Sequence, residues 1–244
     1  MASLWEYANP VKFIRTTDVV LPWLSGAAAI CLVVGLVWGF FFTPDDYRQG
    51  ATVKIIYLHV PAALMAINAW LMMLVASLIW LVRRHHVSAL AARAAAPVGI
   101  VMTLIALATG AIWGQPMWGT YWEWDPRLTS ELVLLFLFLG YIFLRQALAE
   151  TRQADRASGI LAIVGVVNLP IIHYSVEWWN SIHQGPSLIK LETPSIAGDM
   201  LWPLLVMILG YQLLFFAILM TSVRSQVLQR EKSARWISEQ LGST

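Results

Sequence analysis

Six stretches of this 244-residue chain are predominantly apolar, at about 19–42, 53–82, 91–112, 127–148, 157–178 and 200–223. A helix rises about 1.5 Å per residue and the hydrocarbon core of a bilayer is about 30 Å thick, so each run is long enough to cross it. Within lipid every backbone amide needs a partner inside its own element, and unbroken runs without alternation satisfy that as helices. The sequence therefore predicts an all-α integral membrane protein with six transmembrane helices and a single membrane domain over residues 1–244. An apolar share of 59% agrees, and the short segments between runs leave no length for a soluble domain. The first run follows Lys12, Arg15 and Asp18 and lacks a short apolar stretch ending in a cleavage site, so it reads as a retained helix.

Charge orients the spans. Twelve Lys and Arg residues lie at the two ends of the chain and between runs two and three and runs four and five, against only Arg48, Lys54, Arg127 and Lys190 in the alternate connections. By the positive-inside rule both termini are cytoplasmic, and connections 43–52, 113–126 and 179–199 face outward. The tail, 224–244, mixes both signs of charge and is read as cytoplasmic, without a nucleic-acid role. Cys31 is the only cysteine, which excludes an internal disulfide, a paired-Cys metal site and a C-x-x-C-H haem attachment. No G-x-x-x-x-G-K-[ST] phosphate loop occurs, so the chain does not itself hydrolyse ATP.

The outward stretch 113–127 holds Trp113, Trp118, Tyr121, Trp122 and Trp124 ahead of Asp125-Pro126 and Arg127. An aromatic belt would spread such rings over many helix ends, whereas these are gathered in one connection. Flat rings beside a membrane suit a flat, largely apolar ligand, because aromatic contacts add about 0.5–1.5 kcal/mol beyond burial. Asp125 followed by Pro126 has the form of a helix N-cap and first helical position, and capping outranks ligand contact as its role. Arg127 stands at the water boundary with no acid close by in sequence that obviously claims it.

Of five histidines, His85 and His86 lie in the Arg-rich loop on the cytoplasmic side and read as solvated surface. His59 lies about six residues into the second span, where an imidazole is costly unless it has a task, and Pro61 beside it can bend the helix to make room. His183 follows the fifth span in the outer connection, next to Trp178 and Trp179. His173 has Glu177 at i+4 and reads as a structural histidine held by that acid. Two outer imidazoles and a bank of indoles point to a haem whose iron takes axial nitrogen ligands.

WGTYWEWDPRLT resembles the tryptophan-rich W-G-x-x-W-x-W-D motif of haem-handling membrane proteins. With YLHVPAA in the second span and YSVEWWNSIHQGPS after the fifth, the chain resembles the haem exporter protein C (CcmC) family of cytochrome c maturation along its whole length. That resemblance implies haem b held at the periplasmic face of the bacterial inner membrane, with His59 and His183 as axial ligands. The tryptophan-rich loop there contacts haem and a membrane-anchored periplasmic haem chaperone (CcmE-like), which bonds haem covalently through its own histidine. A small single-span subunit (CcmD-like) and ATP-binding-cassette subunits (CcmA- and CcmB-like) accompany such proteins. The expected contacts to haem are Trp113, Trp118, Tyr121, Trp122, Trp124, Asp125 and Trp179, with Arg127 and Lys54 facing the propionates. Tyr121 departs mildly from the expected pattern, which keeps stacking but not an indole N–H. The role implied is a transfer factor that promotes haem attachment to its chaperone. The competing readings are a cytochrome b-like quinol oxidoreductase, which needs paired histidines at depth, and a stand-alone transporter, which needs polar groups and broken helices near the midplane.

Overall fold

The computed structural model describes residues 9–185 and 195–231. Among them there are seven helices: α1 (Pro10–Phe41), α2 (Ile56–Arg83), α3 (His86–Trp118), α4 (Pro126–Ala147), α5 (Thr151–Gly165), α6 (Asn168–Trp178) and α7 (Gly198–Glu231). A 3-10 turn, Ala51–Ile55, leads directly into α2. Six membrane-spanning lengths result, α5 and α6 together forming the fifth. The protein is an all-α membrane protein, as the apolar runs require.

Local signals set the ends. Asn9 caps α1, its side-chain oxygen accepting from Val11 N at 3.0 Å, with Pro10 in the first turn. Helix α2 runs unbroken past Pro61 and stops at Arg84, whose φ of 55° reverses the chain in two residues. His85 then caps α3 by accepting from Ser88 N at 3.3 Å, so this expected surface residue also starts a helix. At its far end α3 continues to Trp118, beyond the expected boundary at 112. The stretch beginning at Trp113 is therefore half helix, and only 119–125 is a connection.

The break in the fifth span comes from Pro170. Its ring has no N–H and crowds the carbonyl four residues back, at Val166. The chain answers with i to i−3 bonds, Val166 N to Ile163 O at 3.4 Å and Val167 N to Val164 O at 3.3 Å, before α6 starts. Below the break α5 packs on both α2 and α4; above it α6 packs chiefly along α4. Asn168 fixes the new direction by donating from Nδ2 to the Ser130 carbonyl of α4 at 2.9 Å. Withdrawing α6 from α2 and α7 leaves the space in which the site lies.

The lower half is closed by Trp70 of α2. Its ring is fully buried, lies edge-on to Phe138 of α4 at 5.0 Å, and donates from Nε1 to Ala162 O of α5 at 3.1 Å. Gly165 makes this possible, since a Cβ there would stand 2.4 Å from Trp70 Cζ2. Helix α1 packs mainly on α7 and leaves most of its surface outward, Trp23 being 80% exposed, as suits a helix bathed in lipid. Arg224 of α7 ties the pair together through Asp18 and Thr17.

Replacing Gly165 with Leu should overpack Trp70 and lower stability by about 1–3 kcal/mol. Gly26→Leu, on an α1 surface with nothing within 4 Å, should leave the thermal midpoint in detergent unchanged. Equal midpoints for both variants would contradict this account of the α2–α5 contact.

Candidate functional site

A cavity of about 840 Å³ opens at the end of the bundle that carries connections 42–55, 119–125 and 179–197. That volume is within the range of sites that enclose a large organic ligand, roughly 300–1,000 Å³. His59 of α2 and His183 of the α6–α7 connection both line it, as do Trp113, Arg127, Glu131 and His173.

The two imidazoles are held alike. His59 Nδ1 is 3.0 Å from the Ala106 carbonyl and 3.1 Å from Thr109 Oγ1. A carbonyl only accepts, so Nδ1 carries the proton and Nε2 keeps its lone pair. The ring fits because α3 carries Gly110 beside it, where a Cβ would stand 3.0 Å from His59 Cε1. His183 Nδ1 lies 3.2 Å from Asp125 Oδ1, and a carboxylate again requires the proton at Nδ1. An imidazole whose Nδ1–H is engaged by an oxygen has its tautomer and ring direction set, with the Nε2 lone pair left for another partner.

Asp125 thus has more than the expected capping role. Its Oδ1 accepts from Arg127 N at 2.9 Å, which caps α4, and its Oδ2 accepts from Ser181 Oγ at 2.6 Å and Ile182 N at 3.0 Å. It is 6% exposed and positions His183 from behind. Burial pushes its carboxyl up, but the hydrogen bonds from Ser181, Arg127 and Ile182 and the nearby His183 outweigh that and hold it below the usual carboxylate range.

The aromatic residues separate into two groups. Trp113 lines the cavity, lies edge-on to His59 at 5.7 Å, and donates from Nε1 to Gln49 Oε1 at 2.8 Å. Trp118 packs on His183 with ring centroids 4.7 Å apart. Tyr121 and Trp124 instead face outward, and Trp122 lies edge-on to Trp124 at 5.5 Å. Trp179 is half exposed and lies edge-on to Trp178, which stacks on Tyr174. None of these outward rings lines the cavity.

Lys54 and His173 depart from expectation. Lys54 pairs with Asp45 at 3.0 Å and is not part of the cavity wall, so Arg127 is the wall's cation among the described residues. His173 is not joined to Glu177; it lies edge-on to Tyr174 and faces the cavity. Glu131, which sequence reasoning passed over, is the acid near Arg127. It is one turn further along α4, 8% exposed, with Oε1 unpartnered among the described residues. An isolated acid inside the apolar run ELVLLFLFL was the signal for it, because such residues are rarely idle in a span. Gln49 and Thr109 gave no signal at all, since their partners are 64 and 50 residues away.

Burial holds His183 below the ordinary imidazole value of about 6.5, against an opposing pull from Asp125. A folded-state value below the unfolded one means the unfolded chain binds the proton more readily. The stability contributed by the neutral ring is therefore complete above about pH 6.5 and is lost as pH falls through that value. Thermal midpoints measured from pH 7.5 down to 5.5 should decline, and His183→Gln should flatten that decline. Asp125→Asn removes the charge from four hydrogen bonds, each to a carboxylate and so contributing about 1.5–3 kcal/mol. Amide exchange at 181–183 should quicken by roughly tenfold or more, the rate equivalent of about 1.4 kcal/mol; unchanged exchange would remove Asp125 from this role.

Comparisons with known proteins cover most of the chain. The family described as "Heme exporter protein C" matches residues 3–238. A "Heme exporter protein C" of Paracoccus denitrificans is 59% identical over 233 residues, covering 95% of this chain and 96% of the relative. Those of Rhodobacter capsulatus and Escherichia coli K12 are 55% and 48% identical, with 95% and 97% of this chain covered and 96% of each relative. At that identity and coverage, the chain belongs to the Heme exporter protein C family.

Proposed function

We propose that this protein binds haem b in the cavity at the periplasmic end of its bundle, in the bacterial inner membrane, and passes it to a membrane-anchored periplasmic chaperone during cytochrome c maturation. The observation that carries the reading is the pair of imidazoles facing one cavity, each with Nδ1 engaged and Nε2 free. Haem supplies four equatorial nitrogens of its own, so two protein nitrogens complete the iron's coordination. Among the described residues no cluster of three or more His, Cys, Asp or Glu is arranged for a bare metal ion, which favours a ligand that brings most of its own donors.

His59 and His183 bind the iron through Nε2. Trp113 and Trp118 back the two imidazoles and limit their rotation. Arg127, at the start of α4, meets a propionate with a charge-assisted bond. The outward rings of Tyr121, Trp124 and Trp179, with Trp122 packed edge-on to Trp124, form the apolar rim against which the chaperone docks, and enrichment in Trp and Tyr is what such a contact needs. Proton, electron or ATP chemistry is not asked of the chain; its work is to hold the cargo with one edge reachable. Further subunits of an exporter complex, single-span and ATP-binding, assemble on the same bundle. An electron relay across the membrane fits poorly, because His85 and His86 lie at the opposite end of the bundle from the cavity.

Single substitutions His59→Ala and His183→Ala should each abolish the bis-histidine absorption spectrum of protein purified with haem, and Arg127→Ala should weaken haem retention about tenfold. An unaltered spectrum in both histidine variants would overturn the assignment.

A further inference from the structure

The cavity is polar at the water boundary and apolar below it. Beneath His59 its wall on α2 is the stripe Val60, Ala63, Leu64 and Ile67, spaced i, i+3, i+4, i+7 on one helix face. Seven residues at 1.5 Å carry this wall about 10 Å towards the bilayer centre. Opposite it stand Ile172 of α6 and Leu204 of α7, so this leg offers hydrocarbon on both sides.

The stripe does not end with the cavity. The same face of α2 continues as Leu71, Val75, Leu78 and Val82, which are 40%, 51%, 42% and 74% exposed. The floor of the cavity is therefore continuous with a helix surface that faces lipid. The withdrawal of α6 leaves this side without a close helix contact, since α6 packs chiefly on α4 and only slightly, if at all, on α2 or α7 among the described residues. On the water side Asp46, Tyr47 and Gln49 line the cavity from one connection and His183, Gln184 and Gly185 from another. The first of these is tied down by the Gln49–Trp113 bond and the second by Asp125.

Depth decides between the two routes. A tetrapyrrole dissolved in a leaflet lies with its carboxylates at the headgroups and its ring in hydrocarbon, because a carboxylate in lipid is costly. Arg127 is in the first turn of α4, at the end of a membrane-spanning length, and the apolar leg lies further along the bundle from it. A molecule already in the leaflet reaches both by sliding in the membrane plane, without changing depth. One arriving from water must pass between these two connections, strip its apolar face of water and then descend into the apolar leg.

Resting on the haem-binding reading above, we propose that the cavity is loaded sideways from the adjoining leaflet, along the exposed face of α2, by a tetrapyrrole lying in the bilayer with its carboxylates at the headgroups.

The test uses the full chain reconstituted into liposomes whose lipid contains haem, with excess apomyoglobin in the water to capture any haem that leaves the bilayer. The wild-type protein should acquire its bis-histidine spectrum at the same rate with and without the trap. Ile67→Trp and, separately, Leu64→Trp, which narrow the leg, should slow that acquisition at least tenfold; two variants are used so that a folding defect in one, visible in its thermal midpoint, does not decide the matter. Loss of wild-type loading when the trap is present would overturn the proposal, as would unchanged rates in both folded variants. Failure of the wild-type protein to show a bis-histidine spectrum even when haem is added in detergent would instead overturn the underlying assignment of the site.

Discussion

The carboxylate of Asp125 joins the two halves of the site. One of its oxygens starts α4 by accepting from Arg127 N and also fixes the Nδ1 proton of His183; the other holds Ser181 and Ile182, which follow the end of α6. Without it the span that carries Arg127 and Glu131 and the segment that carries His183 would have separate positions. Because the group is buried, each of its bonds is made in a medium of low dielectric, where a charged acceptor is strong and an unpaired one is costly.

A second constraint comes from lipid, which tolerates no unpaired backbone. Pro170 creates such a defect inside the fifth span, and the local tightening into i to i−3 bonds repairs it at the cost of a change in direction. That change separates α6 from α2 and so makes room at one end while Trp70 and Gly165 keep the other end closed. The cavity is thus a product of the chain's bend, and its depth in the membrane is set by where Pro170 falls in the run.

Much of this was legible in the sequence. Six apolar runs gave six spans, and the Asp125-Pro126 pair marked the start of α4 correctly. His59 and His183 face one cavity although 124 positions separate them, and what linked them beforehand was their chemistry and a resemblance, not any periodicity. The rest was hidden for physical reasons. Helical pattern does not tell where an apolar helix stops at a membrane boundary, so α3 ran on through Trp113 to Trp118. The sharing of Asp125 between cap and clasp depends on a connection whose course no local rule fixes. Lys54 looked equivalent to Arg127 by charge and side, and the ion pair with Asp45 that diverts it is a matter of side-chain geometry alone.

The two imidazoles differ in how firmly they are mounted. His59 rides on a helix packed against α3 along its length, so its position yields only if the bundle does. Among the described residues, His183 hangs on a segment secured by the side chain of Asp125 and braced by the indole of Trp118. On the proposed haem-binding reading this is a clamp with one rigid jaw and one hinged jaw, and such a clamp lets go in a defined direction: the hinged side opens first, and whatever it gripped stays attached to the rigid side until a competitor for the vacated position arrives.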